Sequence, residues 1–496
     1  MSDKILFWLS NSLVPFGVIK FIQEKHDCEI FAIADITDKQ KKFYEHQQIV
    51  KFKKIWYYHD FIARTSKKPD LEYLSTFEKK YDVNLWLLAI NERFFFRFNN
   101  FHKFSNHEIL SILEQECKLF ENILDETNPD FAITGYTTFH HDHLFFEMCK
   151  SKGIKTMMFQ DTYLGNRRMI TEGTEKLDLK SHPSTRTTIN LQNFHKKYDA
   201  SKQGKEFTKI FQNSKINLLK AIMNYLLSNN TNVKTHYSYY GRSKFNVLLK
   251  MFIYTLKTKY REFFIKKYLS YKIDESHRFV YFPLHIEEEQ VLLIGAPFYT
   301  NQFEAISNIA KSLPIDYKLL VKEHPIMKFR GWRSISFYKK VMDLPNVQFL
   351  HYSVNNDEIL KKCSLVITIS GTAGLEAAFY QKPSIIFADT TYSILPSVYR
   401  LKSVEELPHA IRKSLQNEVN LMDVSRYVDT INENSFECDL TSLNNDMQNY
   451  FHYGGYLADV EIQIEKMKIF LNEHTSTFEQ LANEFIKKIN YKKIAK

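Results

Sequence analysis

Short unbroken apolar runs alternate along this chain with segments whose apolar residues recur every three or four positions. A strand period trading places with a helix period points to βαβ units and a parallel sheet. The first unit runs from a strand at 5–9, through a helix at about 16–24, to the apolar "CEIFAIADI". "PDFAITGYTT" (129–138) and "GIKTMMFQDT" (153–162) predict two more strands, with "HDHLFFEMCKSK" as the helix between them. A polar stretch over about 165–235 reads as a loop-rich insertion leading into helices. The rhythm then resumes with strands "RFVYFPL", "YKLLVKEHP", "VQFLH", "SLVITIS" and "SIIFAD" and helices at 301–312, 334–342, 356–362 and 372–380. The pattern predicts an α/β chain of two Rossmann-like, doubly wound domains with a C-terminal helical tail. The expected boundaries are 1–235 for the first domain, 236–272 for a linker, 273–412 for the second domain, and 413–496 for a tail that packs back on the first domain.

Within the last βαβ unit the apolar run at 365–369 breaks at Ser370, Gly371 and Thr372 before the helix begins. Those residues stand at the carboxyl end of a strand and the amino end of a helix, where free N–H groups and the helix dipole attract an anion. A net charge of +10 with 15% aromatic residues also points to an anionic partner: nucleic acid, an anionic leaflet or a phosphate-bearing substrate. The charge is concentrated over Arg242 to Lys272, where nine Lys/Arg and many aromatics accompany one acid, Glu262. Basic groups meeting lipid head groups while Tyr and Phe enter the interface would explain that mixture. Five scattered cysteines without a C-x-x-C pair imply a reducing compartment. The apolar opening "ILFWLSNSLVPFGVIKFI" is interrupted by Asn11, Pro15 and Lys20, so it reads as strand and helix and not as a signal or membrane segment.

Over about 275–405, "FPLHIEEEQ", "LLVKEHPIMKFRGWRS" and "DEILKKCSLVITISGTAGLEAAFYQKPSIIFAD" resemble the donor domain of the bacterial capsule polysaccharide biosynthesis glycosyltransferases of GT-B architecture. That family includes transferases of 3-deoxy-manno-octulosonic acid (Kdo). The first domain resembles it more loosely, in "FAITGYTTFHHDHLFFEMCKSKGIKTMMFQDTYLGNRR". The His-Pro pair is also similar to that of bacterial sialyltransferases, which use CMP-activated sugars. Where family members carry Gln-Pro-Glu after Phe-Pro-Leu-His, this chain has Glu287-Glu288-Glu289, so only Glu289 matches.

The resemblance implies a GT-B-like cleft between an N-terminal acceptor domain and a C-terminal donor domain. It implies transfer of a sugar from a nucleotide-activated donor, such as CMP-Kdo, to a surface polysaccharide (capsule or lipopolysaccharide) or its lipid-linked precursor. In that frame His324 donates to the donor phosphate and Lys322 adds charge. Ser370, Gly371 and Thr372 hold the phosphate, and Glu376 meets a ribose diol. His285, Glu289 and Arg333 are further donor-site residues. Asp142 falls where the family carries an aspartate and acts as general base on the acceptor hydroxyl. His141 and His143 share that role or contact the acceptor, and Arg168 meets an acidic group on it. Neither a cofactor nor a metal is expected, and the chain would be cytoplasmic, peripheral on the inner face of the cytoplasmic membrane through Arg242 to Lys272.

Three rival readings remain open. "FHHDH" (139–143) contains metal-ligand types, but side chains at the start of a helix diverge and no second cluster completes the set. A nucleotide-sugar 2-epimerase shares the two-domain architecture and would need no acceptor. A nucleic-acid binder would account for the basic surface, but no recognisable binding module accompanies it, so no nucleic-acid partner is expected.

Overall fold

The computed structural model describes residues 2–97, 99–173, 177 and 215–494. Its strands are β1 (Asp3–Leu9), β2 (Cys28–Ala34), β3 (Lys54–Tyr57), β4 (Phe131–Thr134), β5 (Lys155–Asp161), β6 (Arg167–Thr171), β7 (Arg278–Pro283), β8 (Tyr317–Lys322), β9 (Val347–Leu350), β10 (Leu365–Thr368), β11 (Ser384–Ile386), β12 (Val398–Arg400) and β13 (Phe436–Glu437). They form two sheets, ordered β3-β2-β1-β4-β5-β6-β13 and β9-β8-β7-β10-β11-β12. The second is parallel throughout. In the first, β6 runs antiparallel to β5, and β13 antiparallel to β6. Each sheet steps outward from its first strand, returns, and steps out the other way. That reversal leaves a crevice beyond the carboxyl ends of β1 and β4 in one sheet and of β7 and β10 in the other, where doubly wound folds take ligands.

The apolar runs explain the central strands. β4 and β10 are buried at every position, as strands covered by helices on both faces must be. The strands that the periodicity did not indicate lie away from the centre. β3 ("KIWY") follows a lysine-rich stretch, β6 opens with two arginines, and β12 and β13 are only three and two residues long. Such strands are ordered by pairing with a neighbour, so their own alternation carries little signal. The stretch read as a loop-rich insertion contains β6 and the helix Lys215–Leu227, while 174–176 and 178–214 lie outside the described residues. Between the sheets the chain forms one long helix, Lys244–Tyr268.

The C-terminal segment completes the first domain. Helix Leu421–Asn434 supplies Val424, Tyr427, Val428 and Ile431 to an apolar cluster shared with Leu164 and Met169 of the first domain and Leu375, Tyr392 and Leu395 of the second. β13 then pairs with β6, held by Arg167, whose Nε donates to Ser435 Oγ at 2.7 Å and whose Nη2 donates to the carbonyls of Asn432 and Ser435 at 2.8 Å. The final helix, Thr475–Ile494, lies against helix Val14–Lys25. Its Phe478 packs so close to Gly17 that a Cβ there would sit 2.3 Å from the ring. Among the described residues no helix is long and apolar enough to cross a membrane. All five cysteines are free, and Cys117, Cys149, Cys363 and Cys438 are buried.

Gly17→Ala should overpack the helix pair and cost about 1–3 kcal/mol of stability, read as a lower melting midpoint. Shortening the opposing ring in Gly17→Ala/Phe478→Leu should restore part of it. If the single variant melts like the parent, the C-terminal helix does not dock at Gly17.

Candidate functional site

The loops leaving β7, β8 and β10 converge at the second crevice. His285, just beyond β7, is buried, and its Nε2 accepts the N–H of Ile369 at 3.3 Å and lies 3.0 Å from Thr368 Oγ1. Thr368 Oγ1 in turn accepts the Gly371 N–H at 3.1 Å. Burial, with His324 and Arg333 nearby, pushes the His285 imidazole down to about 3, so it stays neutral and acts as a brace for the turn. Gly371 is required there, because a Cβ would stand 2.8 Å from both His285 Cε1 and Thr368 Oγ1. The turn is thus pinned from below, and the Gly371 amide, expected to face an anion, is used internally. Ser370 Oγ donates to Val291 O at 3.3 Å, and Thr372 Oγ1 donates to Glu376 at 2.9 Å.

His324 caps a short 3-10 turn, Pro325–Lys328, by accepting the Ile326 N–H on Nδ1 at 3.2 Å. With Nδ1 an acceptor, the ring proton sits on Nε2, which makes that nitrogen a donor. Burial, reinforced by Arg333, Lys322 and Arg330, lowers the imidazole to about 4. Lys322 ends β8 deep in the site, hydrogen-bonded to Asn356 Oδ1, and burial lowers it to about 8 against the pull of Glu376 and Asp357. Arg333 does not open into the crevice. Its side chain is 1% exposed; Nε donates to Glu323 at 3.1 Å, Nη1 to Glu287 at 2.6 Å and Nη2 to the His285 carbonyl. Glu323, which the sequence reading left aside, also accepts the His324 N–H at 2.7 Å and the Tyr338 hydroxyl at 2.6 Å. Its only sequence signal was a carboxylate beside the His-Pro pair.

At the first crevice a cavity of about 500 Å³ opens, lined by Ser10, Asn11 and Ser12 after β1, Asp35 after β2, Tyr136 and Asp142 after β4, and Asp161 and Arg168 from the β5–β6 hairpin. Asp142, in the first turn of helix His140–Ser151, reaches back to accept the N–H groups of Thr138 and Phe139 at 2.9 Å each. Burial lifts it to about 6, against His141 and those two amides. Arg168 Nη1 pairs with Asp161 at 3.2 Å on the cavity wall. His141 stands behind the wall, its Nε2 3.0 Å from Asp35 and its Nδ1 3.0 Å from the Tyr237 hydroxyl. His143 is engaged with Thr137 Oγ1 at 3.1 Å, and burial lowers it to about 4. Asp35 was not singled out from the sequence, although it closes an apolar strand. His59 also meets it at 3.0 Å, and although burial opposes ionisation, His141 and His59 hold its carboxyl well below the usual range.

Glu116, His140 and His141 bring ligand atoms within 4.8 Å of one another, the donor types of a metal site. All three are engaged by protein groups: His140 lies between Glu92 at 2.7 Å and Glu116 at 2.9 Å, and His141 between Asp35 and Tyr237. Despite its burial, the two carboxylates lift His140 to about 10, so the cluster closes as a buried charged network. The two crevices are tied by Arg93, whose Nε donates to Glu288 O at 2.7 Å and whose Nη1 donates to Thr138 O. Beside that tie, burial lifts Glu289 to about 7, against Arg330 and Arg93.

Glu289 therefore gives stability a pH dependence of known sign. Its carboxyl stays protonated in the folded chain where the unfolded chain, near 4.5, has ionised. The contribution is complete below about pH 4.5 and is lost as pH rises through about 7. Glu289→Gln should match the parent near pH 5 and gain relative stability by pH 8, by about 3 kcal/mol at most. Parallel unfolding profiles for the two proteins across that range would refute the assignment.

Protein FixF of Sinorhizobium fredii is 25% identical over 142 residues, 28% of this chain and 33% of that protein, so the chain matches about a third of that relative's length. Among solved structures, the UDP-GlcNAc 2-epimerase of Methanocaldococcus jannaschii is 12% identical with a TM-score of 0.24, covering 84% of this chain and 94% of its own. KpsC, a beta Kdo 2,7 transferase of Thermosulfurimonas dismutans, is 10% identical with a TM-score of 0.27, covering 64% of this chain and 89% of its own. A family model described as capsule polysaccharide biosynthesis protein matches residues 147–399, just over half of the chain. Because that match takes in the Asp161–Arg168 hairpin, His324 and the Ser370 turn together, the chain belongs to the capsule polysaccharide biosynthesis protein family.

Proposed function

We propose that this protein is a glycosyltransferase that moves a sugar from a nucleotide-activated donor, a CMP-sugar such as CMP-Kdo, to a bacterial surface polysaccharide or its lipid-linked precursor. The observation that carries this reading is the pair of switch-point crevices, one lined by carboxylates and one by a neutral histidine among cations, joined through Arg93. The cationic side suits the donor. His324 offers a fixed Nε2–H donor, Lys322 and Arg330 supply positive charge near it, and the braced Ser370 turn closes the far side. Charge developing on the departing phosphate would meet donors already in position, which lowers the barrier without reorganisation.

The carboxylate-lined cavity suits a hydroxyl-rich acceptor. Asp142, lifted to about 6, is matched to accept a proton near neutral pH, and its two backbone hydrogen bonds fix where it points. Arg168, balanced by Asp161, would meet an acidic group of the acceptor. The scheme as proposed uses no metal or other cofactor.

A thermal-shift comparison of CMP, CDP, UDP and GDP should show the largest stabilisation by a cytidine nucleotide, because a ligand of the native state raises the apparent stability with occupancy. A shift by UDP alone, with epimer formed from UDP-N-acetylglucosamine and no acceptor, would replace transfer by 2-epimerisation.

The donor and base roles separate in variants. His324→Ala should weaken nucleotide binding by about 1–3 kcal/mol and lose transfer, while His324→Asn, which keeps a cap for Ile326, tests whether the loss is only structural. Asp142→Asn forfeits one cap hydrogen bond, about 1 kcal/mol of stability, but should bind nucleotide normally while transfer falls by about two to four orders of magnitude. Full transfer in Asp142→Asn would move the base elsewhere, with Glu289 next in line.

A further inference from the structure

Two helices expose their apolar faces on the outside of the molecule. Along Lys244–Tyr268, Phe245, Leu249, Phe252, Leu256 and Phe263 recur at helical spacing on one stripe, and Phe245, Phe252 and Phe263 are 74%, 64% and 65% exposed. Only Phe264 and Ile265 of this helix are buried, and Arg261 holds the opposite side to the protein through the Gly331 and Trp332 carbonyls at 3.0 and 2.8 Å. The helix Lys215–Leu227 repeats the arrangement: Ile216, Leu219, Met223 and Leu227 are exposed, Ala221 alone is buried, and the helix carries no acid. The two helices touch, because Lys244 Nζ donates to the Leu226 carbonyl at 2.6 Å. An amphipathic helix ordinarily turns its apolar stripe to the core, so two neighbouring helices doing the reverse mark an interaction surface.

Charge decides the partner. The long helix carries seven Lys/Arg against Glu262, which is itself paired with Lys266 at 2.7 Å. A stripe of Phe and Leu flanked by lysines fits the head-group boundary of an anionic bilayer, where rings and aliphatic chains enter and ammonium groups meet phosphates. We propose that Lys215–Leu227 and Lys244–Tyr268 form one lipid-docking platform on which the protein lies against an anionic membrane leaflet. The basic linker alone carried this expectation in the sequence; the fold adds the second helix and a connection to the site. Tyr254 packs over Gly331, whose φ of +77° and lack of a Cβ permit the contact, and Gly331 leads through Trp332 to Arg333 beneath His285 and Glu323. The platform is thereby fastened to the loop that supports the second crevice.

The platform is a surface separate from the transfer reaction, so lipid binding is its readout. The full chain should co-sediment with vesicles of phosphatidylcholine mixed with phosphatidylglycerol, at least about tenfold more tightly than with phosphatidylcholine alone, and high salt should release it. Phe252→Glu/Phe263→Glu should abolish the binding with the melting midpoint and nucleotide shift unchanged, since both rings are exposed. Replacing Lys250, Lys257, Lys259, Lys266 and Lys267 by Gln tests the charge separately and should remove the preference for anionic lipid even if the Glu variant misfolds. Equal binding to both vesicle types, or unaltered binding by these variants, would overturn the proposal. So would a dimer that the Glu variant dissolves without any vesicle binding, or RNA retention by the same lysines in its place.

Discussion

The buried ion pair between Arg333 and Glu323 is the constraint on which the second domain's crevice depends. Their side chains are 1% and 0% exposed, so both charges have left water and must be satisfied by the protein. Arg333 satisfies Glu323, Glu287 and the His285 carbonyl, and Glu323 satisfies Arg333, Tyr338 and the His324 amide. Loops that leave neighbouring strands β7 and β8 are thereby locked in mutual register. Removing Arg333 would leave the Glu323 carboxylate without a counter-charge in a dry environment, a loss of about 3–5 kcal/mol, whereas Arg333 without Glu323 would keep Glu287. Glu287, at the edge of the pair, gives Arg333 Nη1 a further acceptor at 2.6 Å.

The first domain solves its own version of the problem with histidines. Glu92, Glu116 and Asp35 are carboxylates at or beneath a crevice, and His140, His141 and His59 lie among them at 2.7–3.0 Å. Tyr58 and Tyr237 complete the network through their hydroxyls. Low local dielectric makes each of these bonds strong and each missing one costly, which holds the start of helix His140–Ser151 and so the position of Asp142. The two crevices consequently differ in character: neutral histidine among cations on one side, carboxylates balanced by Arg168 on the other.

Much of the architecture was legible in the chain because a strand buried on both faces has to be a continuous apolar run. Ile5 to Leu9, Leu365 to Ile369 and Ser384 to Ala388 announced themselves in this way, and the turn at Ser370 marked a carboxyl end. What stayed hidden was held by partners distant in sequence. β3, β6 and β13 owe their order to neighbouring strands, and "RRMIT" becomes a strand because β5 lies beside it and Arg167 grips the C-terminal segment.

Within the candidate sites, strand-end position marked His324, Lys322 and Ser370, and the family resemblance marked Asp142, because the carboxyl ends of parallel strands are where a doubly wound sheet exposes side chains to a ligand. Which of the selected groups face a crevice and which support it from behind was decided only by tertiary structure. Arg333, His285 and His141 carry the right functional groups, but burial and neighbours from remote segments consume their donors and acceptors. Asp35, Asp161 and Glu289 gained their standing the same way, since the shift of a carboxyl group is set by the dielectric and charges that folding assembles around it, and neither is written in local sequence.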